Sequence, residues 1–293
     1  MSTSAKKQFS ILVINPNTST HMTDALCPIV EDLNYADIQF DFFTAPSQSV
    51  TLPDGRVIDG IPSINSGDDS AKSALHCKPF VEPLLPNYDG FLVACYSAHP
   101  LVGMIKEDLA KLEATDTSTS STGQIKRKYV TGIFEASIVA SLSLISSFQL
   151  TVSQDLQKSQ AKDTFGIVTT GSVWKEELGN AVAQMLVGSG GQMGSLGRFA
   201  GVETTGLTAV ELHTTAPEEV KRRIIEATER LIKSTPNPLS AICMGCAGMA
   251  GMEDAVREGC VKAYGVQRGS QVSIVDGVVA GAGMLVTSCK ARF

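Results

Sequence analysis

Five short runs of uninterrupted apolar residues, each closed off by turn residues, constrain this chain most. They are Phe9 to Ile14 (FSILVI), Gly90 to Ala94 (GFLVA), Phe165 to Val168 (FGIV), Leu239 to Met244 (LSAICM) and Val272 to Val275 (VSIV). A strand with one wet face alternates apolar and polar residues. A run without alternation must be buried on both faces, as in a parallel sheet covered by helices. Longer amphipathic stretches lie between the runs. Glu218 to Ile232 (EEVKRRIIEATERLI) carries its charges on one helical face and its apolar residues on the other. Strands alternating with helices predict an α/β fold of mostly parallel sheets flanked by helices. At 293 residues the chain fits one large domain or two of ordinary size.

The two halves read as a diverged duplication. The first runs from strand ILVIN-P through helices to strand FLVA and Cys95. The second runs from strand FGIVT-T through helices to strand ICMG and Cys246. Asn15 precedes Cys95 by 80 residues and Thr169 precedes Cys246 by 77. The prediction is two pseudo-symmetric α/β lobes with the active site in the cleft between them. The first lobe is expected over 1–115, with 276–293 packing back on it. A surface insertion or linker follows over 116–128, and the second lobe spans 129–275. The Ser/Thr-rich stretch Ala114 to Lys128 has no apolar period. The Gly- and Pro-rich stretch Thr51 to Ser66 is long for a plain connection, and such loops often cover sites.

A net charge of −6 argues against nucleic acid, whose phosphates need a basic stripe. No apolar run approaches the roughly 18 residues of a membrane span. The leading MSTSAKKQFS lacks the apolar core of a secretory signal. The seven cysteines are odd in number and irregularly spaced, so reduced thiols of a cytoplasmic protein are expected, not a disulfide framework.

Most cysteines only fill core space; two stand out by position. Cys95 follows an apolar strand and precedes a helix-like stretch, in Ala94-Cys95-Tyr96-Ser97-Ala98-His99-Pro100. Cys246 does the same within Met244-Gly245-Cys246-Ala247-Gly248-Met249. Helix N-termini favour thiolates, and the small residues around Cys246 admit close approach of a ligand to backbone N–H groups. Cys243 is read as a core-facing strand residue. Its C-x-x-C spacing with Cys246 has no matching second pair for a metal, and the four histidines show no metal spacing. No metal and no cofactor is expected. The polar cluster Asn15-Pro16-Asn17-Thr18 is a strand-to-helix turn without a phosphate-loop pattern, and Thr169-Thr170 is its counterpart. His99, four residues after Cys95, leaves a Cys–His hydrolase open, although Pro100 disfavours helix at His99.

The segments Ile14 to Ser19 (INPNTS), Gly60 to Ile64 (GIPSI), Ala94-Cys95, Gly132 to Ala136 (GIFEA), Thr169 to Gly171 (TTG), Thr205 to Leu207 (TGL) and Gly245 to Met249 (GCAGM) form an ordered set across the chain. Together they resemble the hydantoin racemase family of the aspartate/glutamate racemase superfamily, with fungal members tied to nitrogen catabolism most similar. The resemblance implies two facing lobes and cofactor-free racemisation of hydantoins or allantoin-like ureides. Cys95 and Cys246 would be the acid/base thiols. Asn15, Asn17, Thr18, Ile64, Tyr96, Ser97, Thr169, Thr170, Ala247 and Gly248 would line the pocket, with Glu135 and His99 behind them. It also implies a homo-oligomer acting on a small molecule. The chain departs from compact bacterial members by Ala114 to Lys128, by Ser153 to Lys162, and by YSAHP after Cys95.

Racemisation removes a proton from one face of a carbon and delivers one to the other. Two thiols on opposite sides can exchange roles at each turnover, since a free thiol titrates near pH 8.5, within reach of neutrality. The rival expectations are another superfamily enzyme (an amino-acid racemase, maleate-type isomerase or decarboxylase) and a non-catalytic metabolite-binding protein.

Overall fold

A computed structural model describes residues 8–115, 127–151, 157–160, 162–188 and 197–293. Residues 116–126 of the predicted insertion, and 153–156 and 161 of the second added stretch, lie outside the described residues. The chain divides into two compact units, Met1–Ala136 with Val278–Phe293, and Ser137–Gly277.

In the first unit the order is β1 (Phe9–Asn15), α1 (Thr20–Glu31), β2 (Ile38–Thr44), a hairpin of β3 (Val50–Thr51) and β4 (Val57–Ile58), α2 (Gly67–Val81), β5 (Gly90–Val93), α3 (Pro100–Thr115) and β6 (Tyr129–Gly132). The sheet runs β2-β1-β5-β6, parallel throughout. Helix α4 (Ile133–Ile145) carries the chain into the second unit. There follow β7 (Phe148–Thr151), β8 (Gln157–Gln160), β9 (Thr164–Thr169), α5 (Trp174–Val187), β10 (Phe199–Thr204), α6 (Glu211–Thr214), α7 (Pro217–Ser234), β11 (Leu239–Met244), α8 (Glu253–Tyr264), α9 (Val266–Gly269) and β12 (Ser273–Asp276). Its sheet runs β10-β9-β11-β12, again parallel. Helix α10 (Gly277–Ala291) returns the chain to the first unit.

All five predicted strands form, and the predicted helix Glu218 to Ile232 lies within α7. Central strands β1, β5, β9 and β11 are almost wholly buried, which is why they read as continuous apolar runs. Edge strands β2 (IQFDFFT), β6 (YVTG) and β10 (FAGVET) are mostly half-exposed and escape that reading; β12 is also an edge strand and mostly half-exposed, so its apolar run is not buried on both faces as expected. β6 also corrects the predicted boundary at 129: it pairs with β5, so the first unit runs on to Ala136. At the other end Asp276 still pairs with Met244, so the return begins at Val278 and not at 276.

Each unit has its own apolar core. In the first, Leu12, Ile14, Phe91 and Val93 of the sheet pack against Ala74, Cys77 and Val81 of α2 and Leu101, Ile105 and Leu109 of α3. In the second, Val168, Ile242 and Leu239 pack against Ile224, Ala227 and Leu231 of α7 and Val256 and Cys260 of α8. Each fully buried aliphatic side chain contributes about 1.5–3 kcal/mol. Helix α7 starts on Pro217 with Glu218 and Glu219 in its first turn and ends with Lys233 in its last, the order its dipole favours. Gly259 lets α8 approach α7, since a Cβ there would stand 2.6 Å from Thr228 Cβ. Among the described residues no helix is long and apolar enough to cross a membrane.

The two sheets share one strand order. In each, the chain goes from the second-position strand out to an edge, then crosses back to the third position. The reversal falls between β1 and β5 in the first unit and between β9 and β11 in the second. Beyond the carboxyl ends of such strands lies the ordinary ligand site of an open α/β sheet.

Candidate active site

Both singled-out cysteines sit at these points, two residues past their strands: Cys95 after β5, which ends at Val93, and Cys246 after β11, which ends at Met244. Both are partly exposed, whereas Cys77, Cys243, Cys260 and Cys289 are buried and Cys27 lies part-exposed on α1. Burial pushes the Cys77 thiol up to about 12 and the Cys260 thiol to about 11. Cys243 faces the core, where its sulfur meets Ser141 Oγ at 3.1 Å.

In the first unit, Asn15 ends β1 and is 1% exposed. Its Nδ2 donates to Ser19 O (2.9 Å), Thr23 Oγ1 (3.0 Å) and Asn17 Oδ1 (3.1 Å), and its Oδ1 accepts from Asn17 N. The Asn15 amide, expected on the pocket wall, ties β1 to the start of α1. Asn17 Oδ1 accepts from Ser19 N as well, and Ser19 caps α1 by accepting from Met22 N. Replacing Asn15 by alanine strips buried partners from the loop and is expected to cost about 2 kcal/mol in urea unfolding. A cost within error of zero would show the network to be dispensable.

Two further motif segments close on this loop. Thr18 N donates to Ile61 O, and a Cβ on Gly60 would stand 2.7 Å from Thr18 Cγ2 and 2.9 Å from Pro46 O. The GIPSI run therefore needs glycine to bring three loops together, with Ile64 buried.

The Cys95 loop is held by Ser97 N donating to Cys95 O and His99 N donating to Ser97 O. Tyr96, expected on the pocket wall, is 5% exposed with its ring edge-on to Phe134 at 5.6 Å. Ser97 Oγ lies 3.5 Å from Cys95 Sγ and 3.1 Å from Ser70 Oγ on α2. Ser70 had no signal in the sequence, where it is one serine among many.

His99 caps α3: its Nδ1 accepts from Leu101 N, so neutral His99 carries its proton on Nε2. That atom is buried without a partner. Burial holds the ring down to about 3, which removes His99 as a base for a Cys–His hydrolase. The folded state then binds fewer protons than the unfolded state between about pH 3 and 6.5. This stability is complete above pH 6.5 and falls by about 1.4 kcal/mol per pH unit below it. From pH 7.5 to 5.5 the protein should lose about 1.4 kcal/mol more than His99→Asn. Equal losses in urea unfolding would mean that the ring is not held neutral.

Glu135, three residues into the sequence from Gly132, reaches back over the start of α4. Burial pushes its carboxyl up, opposed by its own backbone N–H, by Lys106 and by the Gly132 N–H. Its Oε2 is buried without a hydrogen-bond partner.

In the second unit, Thr169 ends β9, fully buried, and its hydroxyl donates to Gly245 O. Thr205 N donates to Thr169 O, and Gly206 N and Thr205 Oγ1 donate to Thr170 O. The TTG, TGL and GCAGM runs thus clamp one another, and Thr169 holds the Cys246 loop from beneath. Cys246 opens a 3-10 turn, Ala247–Met249, with Gly248 N donating to Sγ at 3.4 Å. Gly248 is buried and Ala247 half-buried.

The expected help from helix N-termini is not delivered as supposed. Helix α3 begins at Pro100, five residues after Cys95, and its Leu101 and Val102 N–H groups bond to His99. Around Cys246, burial outweighs the Gly248 and Met249 N–H groups and pushes the thiol up to about 11. Cys246 rests as a protonated thiol. The Gly248 N–H is taken by sulfur and is not free to act as an oxyanion donor.

These features define an α/β protein of two like-built units, each with a part-exposed cysteine at its sheet's switch point. The chain belongs to the Asp/Glu/hydantoin racemase family, which its sequence matches over residues 11–285. An uncharacterized protein of Schizosaccharomyces pombe is 28% identical over 279 residues, covering 94% of this chain and 90% of that protein. Among solved structures, the allantoin racemase from Klebsiella pneumoniae shares the fold at a TM-score of 0.65 and 20% identity, over 98% of this chain and 89% of that one. The allantoin racemase from Pseudomonas fluorescens does so at 0.66 and 18% identity, over 97% and 92%.

Proposed function

We propose that the protein is a cofactor-independent racemase that moves a proton at C5 of a hydantoin or allantoin-like cyclic ureide, with Cys95 and Cys246 as its two bases. The observation that carries this reading is the equivalent placement of the two thiols, each two residues past the strand at its unit's switch point. In one direction the Cys95 thiolate takes the C5 proton and the adjacent carbonyl accepts the charge as an enolate. The Cys246 thiol, protonated at rest, delivers a proton to the opposite face. The products are the inverted ureide, a Cys95 thiol and a Cys246 thiolate, so the reverse reaction uses the same groups in exchanged roles.

Several candidates for the pocket become supports for it. Asn15 and Thr169 fix the strand ends, with His99 and Glu135 behind them at helix starts; Thr170 is buried with its carbonyl bonded to Gly206 N and Thr205 Oγ1, and part-exposed Asn17 is left to meet a ligand. A neutral, hydrogen-bonding rim of this kind matches a ureide ring, with its N–H and C=O groups, better than a free amino acid. The likeness to two allantoin racemases supports the same choice.

The test is polarimetry on enantiopure allantoin and 5-substituted hydantoins, with proton exchange followed in D2O. Loss of optical rotation together with exchange at C5 supports the proposal. Turnover only of aspartate, glutamate or maleate would assign another reaction of the family. Ligand-induced thermal stabilisation with no change in rotation would make the protein a metabolite-binding one.

A further inference from the structure

Behind Cys95 lies a chain of two hydroxyls. Cys95 Sγ stands 3.5 Å from Ser97 Oγ, which stands 3.1 Å from Ser70 Oγ. Ser97 is 4% exposed and Ser70 2%. Ser70 comes from a different element, the first turns of α2, where its backbone N–H is spent on Ser66 O. Ser66 itself caps the helix by accepting from Asp69 N, so the Ser70 position is set by a capped helix end and not by a mobile loop.

Each hydroxyl has one proton to give, and this decides which way the chain runs. If the Cys95 thiol donates to Ser97, then Ser97 donates to Ser70, and the Ser70 proton is left buried away from water. Burying an unsatisfied donor costs about 1–3 kcal/mol. If Ser70 donates to Ser97 and Ser97 donates to sulfur, both hydroxyl protons are used and Cys95 is the acceptor. A thiolate is the better acceptor, because hydrogen bonds to an ionised partner are the stronger ones.

We propose that Ser70 is a positioning residue for Cys95: through Ser97 it orients a hydroxyl proton onto the Cys95 sulfur and so favours the thiolate. This deepens, and rests on, the reading of Cys95 as a base. It also makes the two thiols unlike, with a hydroxyl relay at Cys95 and backbone N–H groups at Cys246.

The experiment is the rate at which iodoacetamide alkylates Cys95 in the intact, folded chain at pH 7, read peptide by peptide by mass spectrometry, with the Cys246 peptide as internal reference. Ser70→Ala should slow Cys95 alkylation about three- to tenfold and leave Cys246 unchanged. Ser70→Thr, which keeps the hydroxyl, should restore most of the rate. Ser97→Ala should slow it at least as much, and the double variant should be no slower than Ser97→Ala alone, because the relay is already cut. Ser70→Val, which matches Ser70→Thr in size and lacks the hydroxyl, reads the same effect should alanine fail to fold. An unchanged rate in a folded Ser70→Ala or Ser70→Val, or additive losses in the double variant, would overturn the proposal. On a racemised substrate Ser70→Ala should lower kcat and leave KM in place. Alkylation reports the thiol whether or not any ureide turns over. A protein inactive on every ureide but with these alkylation rates would refute the racemase reading and leave the relay standing.

Discussion

On the proposed two-base reading, Cys95→Ser and Cys246→Ser are each expected to lower racemisation of the ureide about a thousandfold while the protein stays folded. A serine hydroxyl keeps the size of the thiol but gives up its proton far less readily, so it serves neither as base nor as matched acid near neutrality. Both positions are partly exposed, and although Cys246 packs against the second unit's core, serine nearly matches cysteine in size, so the swap opens little space. The two variants should differ from a general loss of function in one respect. Each keeps one base, so each should still exchange the C5 proton of one enantiomer with D2O, and the two should prefer opposite enantiomers. Cys27→Ser, on α1, is the control and should behave as wild type. Full activity in Cys246→Ser would end the two-base account. Loss of the cooperative unfolding transition in either variant would mean that the cysteine is structural.

Gly245→Ala is the second large effect, and it reaches both stability and chemistry. A Cβ at 245 would stand 2.5 Å from Thr169 Cβ and 2.8 Å from both Ile167 Cγ2 and Thr169 Oγ1. Those atoms belong to β9, a central strand buried along its whole length, and both side chains are β-branched with little rotamer freedom. They cannot give way, so the loop must. Overpacking of this kind costs about 1–3 kcal/mol, and pulling Gly245 O off the Thr169 hydroxyl adds about 1 kcal/mol more. The next residue is Cys246, and a shift near 1 Å at a reacting group costs about a hundredfold in rate. Urea unfolding and the racemisation assay should both record the change. Gly103→Ala, exposed on α3 where a Cβ meets nothing within 4 Å, should lose nothing in either. Equal behaviour of the two variants would show that the Thr169–Gly245 clamp carries no weight.

The fold class and the two cysteines were legible in the sequence for one reason. Burial on both faces leaves central strands no polar positions, so β1, β5, β9 and β11 announce themselves and their carboxyl ends locate Cys95 and Cys246. Edge strands face water on part of their surface and carry polar residues there, and so β2, β6 and β10 and the boundary at Ala136 did not read out; β12 is the exception, an edge strand that stays apolar in sequence. The family segments were legible as letters but not as roles. Asn15 and Thr169 look like ligand-facing polar groups, yet each is spent on a neighbouring loop.

The surroundings of the two sulfurs came only from tertiary structure. Sequence proximity to a helix start suggests an acidified cysteine. The real balance depends on how much protein surrounds the sulfur and on which donors point at it, and both come from residues distant in the chain. For Cys246 burial prevails and the thiol stays protonated. For Cys95 one partner is a hydroxyl relay ending on Ser70, 25 residues upstream on another element. Periodicity along a chain records which faces are buried; the direction of a proton in a buried hydrogen bond depends on contacts across the fold.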